Sequence, residues 1–349
     1  MKAFTNAMPR DVKDAARLAR SAQGSGQIAA FAGGGSDLIG LMKDRVVTPD
    51  VLVYLRSIKG LDTVTSDSRT VTIGGLITLD ALSRHELVRR EYPVLAEAAD
   101  SVATPQIRNG ATLAGNVCQR PWCWYYRNGF KCLKNGGNRC FSVDGENQFH
   151  AIFGGGPSYI VHPSDTAPAL VALDATFRIV GPAKERQVPA ADFFTLPKDN
   201  PARENVLKED EVLAAVILPR SPRASAGAPT MRSTYTKVMD REAWTHAIVS
   251  AAVALSFDPA ESRGSGAHGS ADAVCRDARV VLGGVAPVPW RVTDVERMLK
   301  GQRITPELAA KAGEAAIAGA RPLAKNAYKV GMTRSLVART VQELGTRSS

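Results

Sequence analysis

The sequence predicts an α+β fold divided into more than one domain. Three observations point there. Strand-like and helix-like apolar periods mingle over roughly the first 220 residues. A Pro/Ser/Ala-rich stretch, "PRSPRASAGAPT" (219–230), then interrupts the pattern and marks a domain boundary. Beyond it, three strand-like runs are followed by three helical ones.

In chain order, Pro9 precedes "RDVKDAARLARS", whose Val12, Ala15, Ala16 and Ala19 share one helix face. "GQIAAFA" reads as a buried strand. It runs into "GGGSDL" and the helical "DLIGLMKD", and "DVLVYL" is a second apolar strand, so residues 1–58 form a βαβ-like unit. "TVTIGG" alternates as a strand before a helix for which Thr78 is the N-cap candidate. "YPVLAEAADSV" reads as helix, whereas "ATPQIRNGATLAGNV", rich in Gly, Thr and Asn, reads as loops and tight turns. "HPSDTAPALVALDATFRIVG" reads as turn, helix and strand. "DEVLAAVILP", another strand, closes a second unit, residues 59–220, which carries an insertion at about 118–150. In the last unit, 231–349, "MRSTYTKVMD", "AIVSAAVALSF" and "ADAVCRDARVVLGGVAP" are strands and "ESRGSGAHGSAD" a mobile loop. "WRVTDVERMLKG", "TPELAAKAGEAAIAG" and "NAYKVGMTRSLVARTVQEL" are helices, and no internal repeat is visible. Cys275, within a strand, is expected to act as a small buried hydrophobe.

A length of 349 residues suits two or three domains, and 44% hydrophobic with 22% charged residues suits a soluble globular chain. No apolar run approaches the ~18–20 residues that span a bilayer. The start, "MKAFTNAMPRDVKDAARLARS", lacks the apolar stretch of a secretory leader, so the chain by itself reads as cytoplasmic. The formal charge of +10 is spread along the chain without a nucleic-acid motif. It fits an acidic partner or an anionic cofactor rather than DNA or RNA.

Two stretches carry binding chemistry. "FAGGGSDL" (31–38) follows a strand and opens a helix, so its amide N–H groups can turn toward one anion. It is neither the Rossmann nor the P-loop pattern. The same glycines also suit a plain strand-to-helix turn. "ATPQIRNGATLAGN" offers Thr104, Thr112 and Asn116 as side-chain donors, with Gly110 and Gly115 allowing close backbone approach. Two such loops in one half of a chain fit a long dinucleotide.

Four of the five cysteines, Cys118, Cys123, Cys132 and Cys140, crowd into "GNVCQRPWCWYYRNGFKCLKNGGNRCF". Disulfides need an oxidising compartment. Zinc commonly uses C-x2-4-C pairs, and the spacing here is C-x4-C-x8-C-x7-C. A 4Fe–4S cluster needs four converging thiolates without one fixed spacing. The residues leave zinc and iron–sulfur both open. Trp122, Trp124, Tyr125 and Tyr126 would form an apolar shell for such a site, and Arg120, Arg127, Lys131, Lys134 and Arg139 would balance its charge. His150 and His162 lie nearby and read as satisfied turn or core histidines.

Taken in order, "FAGGGSDLIGLMK", "ATPQIRNGATLAGN", "HPSDTAPALVAL" and "YTKVMDREAWTHAIVSAAVAL" resemble the FAD-binding subunits of molybdenum hydroxylases, the xanthine dehydrogenase and carbon monoxide dehydrogenase family. The resemblance is strongest to the aldehyde oxidoreductase type, which carries an extra 4Fe–4S cluster in an insertion at this position. It implies a bipartite FAD-binding fold of the vanillyl-alcohol-oxidase type, followed by an antiparallel sheet backed by helices. It further implies that Ala32, Gly33, Gly34, Gly35, Ser36, Asp37 and Leu38 wrap the FAD pyrophosphate, and that Thr104, Gly110, Thr112, Gly115 and Asn116 line a second FAD loop. Asp165 would contact the ribityl and phosphate region, Lys237 would lie near the isoalloxazine, and the four cysteines would hold the cluster. No side chain here would act on the organic substrate. A large molybdenum-cofactor subunit would do so, a small 2Fe–2S subunit would pass electrons to this chain, and an external acceptor would take them. Co-export with a partner would place the complex in the periplasm. Without the resemblance, a stand-alone FAD oxidase with a structural zinc site fits the same residues.

Overall fold

In a computed structural model of the chain, the structure describes residues 1–220, 230–243, 245–258 and 273–346. Most of the 219–230 boundary and all of the 261–272 loop therefore lie outside the described residues.

The first unit is a three-stranded parallel sheet with Val51–Tyr54 at its centre, between Thr5–Ala7 and Ala29–Ala32. The edge strand Thr5–Ala7 was not legible as such, being three polar or small residues. The helix Val12–Gly24 begins where Asp11 caps it, accepting the Asp14 N–H at 2.8 Å. Ala15, Ala16, Ala19 and Ala22 are its buried face, as the spacing predicts, and Val12 is half-buried beside them. Strand Ala29–Ala32 ends in the glycine loop, and the six-residue helix Leu38–Lys43 follows.

The second unit is a five-stranded antiparallel sheet in the order Val64–Ser66, Thr70–Gly74, Val212–Pro219, Thr176–Val180, Glu185–Pro189. Short helices pack against it. Thr78 is an N-cap, accepting the Ala81 N–H at 3.2 Å. Residues 103–117, expected as loops, instead form two short helices, Pro105–Gly110 and Leu113–Val117. Each is started by a threonine: Thr104 accepts from Ile107 N–H at 3.4 Å and Thr112 from Gly115 N–H at 3.2 Å. Pro105 at the first helical position presets the backbone there. The glycine content concealed two ordinary helix starts.

The last unit pairs Thr230–Val238, Val249–Phe257, Val274–Gly283 and Trp290–Arg291 in antiparallel order, with Gln302–Arg303 also on Val274–Gly283. Trp290 and Arg291, expected in a helix, form the edge strand, and the helix starts at Thr293. One face of this sheet lies under the helices Thr293–Leu299, Pro306–Ala316 and Tyr328–Thr346, the last burying Leu336, Val337, Val341 and Leu344. Tyr235, Ala252 and Val281 from its other face join the core of the second unit. Cys275 is fully buried in its strand, as expected. Among the described residues no helix is long and apolar enough to cross a membrane.

The first and second units meet backbone to backbone. A Cβ on Gly34 would lie 1.9 Å from the Gly110 carbonyl oxygen. Gly34→Ala is therefore expected to cost about 3 kcal/mol or more. Gly24→Ala, whose Cβ would meet nothing within 4 Å, is expected to be neutral or slightly stabilising, and urea unfolding of both variants measures the contrast.

His162, buried edge-on against Phe194, is held neutral: burial pushes its imidazole down to about 3. Between pH ~6.5 and that value the unfolded chain binds a proton at this position and the folded chain does not, so stability falls as pH falls. A His162→Phe variant is expected to lose about 1.4 kcal/mol less per pH unit than the parent between pH ~6 and ~4, read from denaturant midpoints across that range.

Candidate functional site

The strand Ala29–Ala32 delivers its last residue, Ala32, buried, to the head of the first glycine loop. Gly33 and Gly34 then press against the second loop: a Cβ on Gly33 would sit 2.8 Å from Thr112 Oγ1, and Gly34 faces Gly110. Gly35 takes a left-handed φ of +74°, a value glycine adopts without strain. The N–H groups of Gly34, Gly35, Ser36 and Asp37 donate to no acceptor among the described residues. Four consecutive free amides in a turn with one left-handed residue form an anion-binding concavity. The following helix, opening at Leu38, is only six residues long, so the amides rather than a helix dipole carry the attraction. The residues present therefore fit a pyrophosphate. Asp37 offers this turn its amide but not its side chain. Its carboxylate turns away to accept from Arg127 Nη2 at 2.5 Å and from the Arg120 N–H at 2.9 Å, tying the loop to the cysteine insertion.

The second loop is joined to the later candidates by a buried hydroxyl cluster. Asn116 Oδ1 accepts from Ser164 Oγ at 2.6 Å and from Thr166 Oγ1 at 2.7 Å. These two residues flank Asp165. Asp165 stands at the N-cap position of the helix Thr166–Ala172 without capping it, and Ser164 Oγ accepts the Ala167 N–H at 3.0 Å instead. The freed carboxylate of Asp165 accepts from Tyr235 Oη at 2.6 Å and from Lys237 Nζ at 2.8 Å. Lys237 also donates to the Ser101 carbonyl at 3.0 Å. The Asp165 and Lys237 side chains are 4% and 3% exposed, so this is a buried ion pair across two units. Glu97 adds a second tie, accepting from Thr234 Oγ1 at 2.7 Å and from Tyr235 N–H at 2.8 Å. Sequence reasoning missed Tyr235, Ser164, Thr166 and Glu97. Tyr235 had a signal, since it shares a strand face with Lys237 at i and i+2. Ser164 had one too, as the polar residue three before an apolar helical run. Glu97 had none.

Three of the insertion's four cysteines border one small cavity without forming a group that could hold a metal ion. Cys123, Cys132 and Cys140 line one small cavity with Tyr125, Tyr126, Lys134 and Phe141. Cys118, expected with them, caps the C-terminal end of the helix Leu113–Val117 and packs on the second unit's core, because the helix register turns it that way. Burial pushes the Cys118 thiol up to about 12 and the Cys123 thiol up to about 11. None of the cysteines is in a disulfide. Among the described residues no group of three or more His, Cys, Asp or Glu side chains is drawn together as a metal site, so the expected four-thiolate convergence is not present in this conformation. Tyr125 and Tyr126 are buried, but Trp122 and Trp124 face solvent, 49% and 62% exposed, so the expected aromatic shell is half built. The basic residues are largely committed elsewhere. Lys134 Nζ and Arg120 Nε bind the buried Glu204 at 2.7 and 2.8 Å, and Arg127 binds Asp37. His150 Nε2 lies 3.4 Å from Cys123 Sγ, and burial pushes its imidazole down to about 4.

Comparison with known proteins places the fold in a family. Residues 2–221 match the family described as FAD binding domain in molybdopterin dehydrogenase, and residues 234–344 match the CO dehydrogenase flavoprotein C-terminal domain. The chain is 34% identical over 348 residues to the aldehyde oxidoreductase FAD-binding subunit PaoB of Escherichia coli (strain K12), covering 98% of each chain. It is 26% identical over 327 residues to the carbon monoxide dehydrogenase medium chain of Hydrogenophaga pseudoflava, covering 92% of this chain and 91% of that one. Among solved structures, carbon monoxide dehydrogenase from Hydrogenophaga pseudoflava lacking the Mo-pyranopterin moiety superposes with a TM-score of 0.71 at 25% identity, over 99% of this chain and 98% of that one. Quinoline 2-oxidoreductase from Pseudomonas putida 86 shares the fold at a TM-score of 0.71 and 21% identity, over 99% and 98% of the two chains. With both halves of the fold matched and a relative 34% identical over 98% of each chain, the chain belongs to the family of FAD-binding subunits of molybdopterin dehydrogenases.

Proposed function

We propose that this chain is the FAD-carrying electron-transfer subunit of a molybdenum-dependent aldehyde oxidoreductase. It works beside a large molybdenum-cofactor subunit and a small 2Fe–2S subunit. The observation that carries the reading is the junction of the two loops, where Gly33 and Gly34 pack on Thr112 and Gly110 and the amides of Gly34 to Asp37 have no acceptor among the described residues. The end-to-end identity to an aldehyde oxidoreductase FAD subunit supports the choice among substrates. FAD, when bound, supplies the conversion between single-electron arrivals and a two-electron departure.

The roles of this chain's residues follow. Gly34, Gly35, Ser36 and Asp37 bind the pyrophosphate through backbone N–H groups, and Gly33 lets the turn close on Thr112. Ala32 and Leu38 fix the ends of that turn. The Asp37 carboxylate holds the turn in place through Arg127. Thr104, Gly110, Thr112, Gly115 and Asn116 shape the second loop, and Asp165 and Lys237 present a paired carboxylate and ammonium toward the flavin. The first 220 residues, split near residue 58, read as a bipartite vanillyl-alcohol-oxidase-type fold, with 231–349 as the C-terminal flavoprotein domain. Export with its partners would put the complex in the periplasm.

The insertion is read as the seat of a 4Fe–4S cluster. Cys123, Cys132 and Cys140 already share a cavity, which supports three of the ligands. Cys118 needs a local rearrangement to join them, and no electron step is assigned to the cluster.

Two measurements test these readings. The complex purified with its partners is expected to release about one FAD per chain on denaturation, and Gly33→Val, whose side chain would overrun Thr112, is expected to weaken flavin binding at least ~10-fold, about 1.4 kcal/mol. A complex without flavin overturns the assignment. Elemental analysis after anaerobic purification is expected to give about four iron and four acid-labile sulfide beyond those of the partner subunits. One zinc in their place would establish a structural metal knot, and neither metal would leave the insertion a plain thiol-lined fold.

A further inference from the structure

Tyr235, Asp165 and Lys237 form a closed unit that no role given above explains in full. All three are buried, and they come from two parts of the chain: Asp165 from the segment before the helix Thr166–Ala172, Tyr235 and Lys237 from one face of the strand Thr230–Val238. Asp165 is doubly held, with Oδ1 accepting from the phenol at 2.6 Å and Oδ2 accepting from the ammonium at 2.8 Å. Each oxygen thus has a different kind of donor. An ammonium alone would suffice to neutralise the carboxylate, so a tight second hydrogen bond from a buried tyrosine calls for its own reason.

We propose that Tyr235 is a positioning residue that sets how much of the Lys237 charge remains available to the bound flavin. The inference rests on the reading of Lys237 as a flavin neighbour. A short phenol hydrogen bond draws negative charge toward Oδ1 and away from the oxygen that faces the ammonium. The hold of Asp165 on Lys237 weakens, and more of the positive field reaches beyond the pair. In a dry, low-dielectric setting that field is little screened. It favours the electron-rich reduced flavin over the oxidised one. Without the phenol hydroxyl, the full carboxylate charge falls on Lys237 and the field outside the pair shrinks. Tyr235 stays a neutral donor throughout, since burial and the adjacent Asp165 both push its pKa well above the ordinary phenol range. The strand register keeps the device rigid. Ser250 pairs with Lys237 and Ala252 with Tyr235, and Glu97 fixes the Tyr235 backbone N–H. No proton or electron passes through Tyr235 in this role; its effect is electrostatic.

The test is the FAD midpoint potential in the purified complex, with flavin content and melting temperature recorded for each variant. Tyr235→Phe keeps the ring in the core and is expected to lower the preference for reduced over oxidised flavin about 10-fold, a shift of about 30 mV to more negative potential for a two-electron couple. Incorporating 3-fluorotyrosine at position 235, a stronger donor, is expected to move the potential the opposite way. This second arm decides the matter if the phenylalanine variant does not fold. Lys237→Met tests the underlying reading. Where it moves the potential and both Tyr235 replacements stay within a factor of two of the parent, the inference about Tyr235 is overturned and the flavin-neighbour role stands. Where Lys237→Met leaves the potential unmoved, the flavin-neighbour role falls and the inference with it.

Discussion

Everything in the candidate site depends on two backbones meeting without side chains between them. Gly34 and Gly110 touch so closely that no other residue type fits at the first position, and Gly33 sits under the Thr112 hydroxyl. This contact joins the parallel βαβ unit to the antiparallel unit at one point. It also decides where the free amides of the first loop face. Those amides have no acceptor among the described residues and are therefore available to a ligand with phosphate oxygens. The glycines are thus demanded twice, by packing on one side of the loop and by binding on the other.

A second constraint holds the C-terminal sheet to this assembly. An ion pair as buried as Asp165 and Lys237 is a poor source of stability, because desolvation of both charges offsets most of their attraction. Cheaper apolar contacts already do that work, since Tyr235, Ala252 and Val281 share the second unit's core. A costly pair in a place where packing suffices is best understood through its charge. It is neutral in sum but directional, and it sits one hydrogen-bonded step from Asn116 and hence from the second loop. The same economy is visible at Asp37. Its carboxylate is drawn away from the anion site by Arg127, which removes a negative charge that would oppose a pyrophosphate.

Much of this was legible in the residues, and the failures have physical causes. The alanine face of the first helix, the Thr78 cap, the long strands and the C-terminal helices follow from periodicity and capping. The loops around Thr104 and Thr112 were misread because glycine and asparagine dominate their composition, while a threonine cap and Pro105 decide the local backbone. Short polar edge strands such as Thr5–Ala7 exist only because a neighbour is there to pair with. Asp165 and Lys237 entered as candidates through the family resemblance rather than through any local pattern, and their partnership was not legible in the sequence at all. That Asp165 meets Tyr235 and Lys237, some 70 positions later, depends on tertiary register alone.

The cysteine insertion follows a different logic from the rest. Its basic residues looked like counter-charges for a metal centre, yet Lys134 and Arg120 are paired with Glu204 and Arg127 with Asp37. These pairs anchor the insertion to the loop at 201–204 and to the first glycine turn, so its rim is held by ion pairs. Tyr125, Phe130 and Phe141 supply a small aromatic core of their own. The thiols inside can then be buried in protonated form, as Cys123 is, until something displaces the protons. A scaffold held at its rim tolerates change at its centre. That is the property an insertion needs if Cys118 is to swing from the second unit's core toward the other three without disturbing the glycine loop only a few residues away.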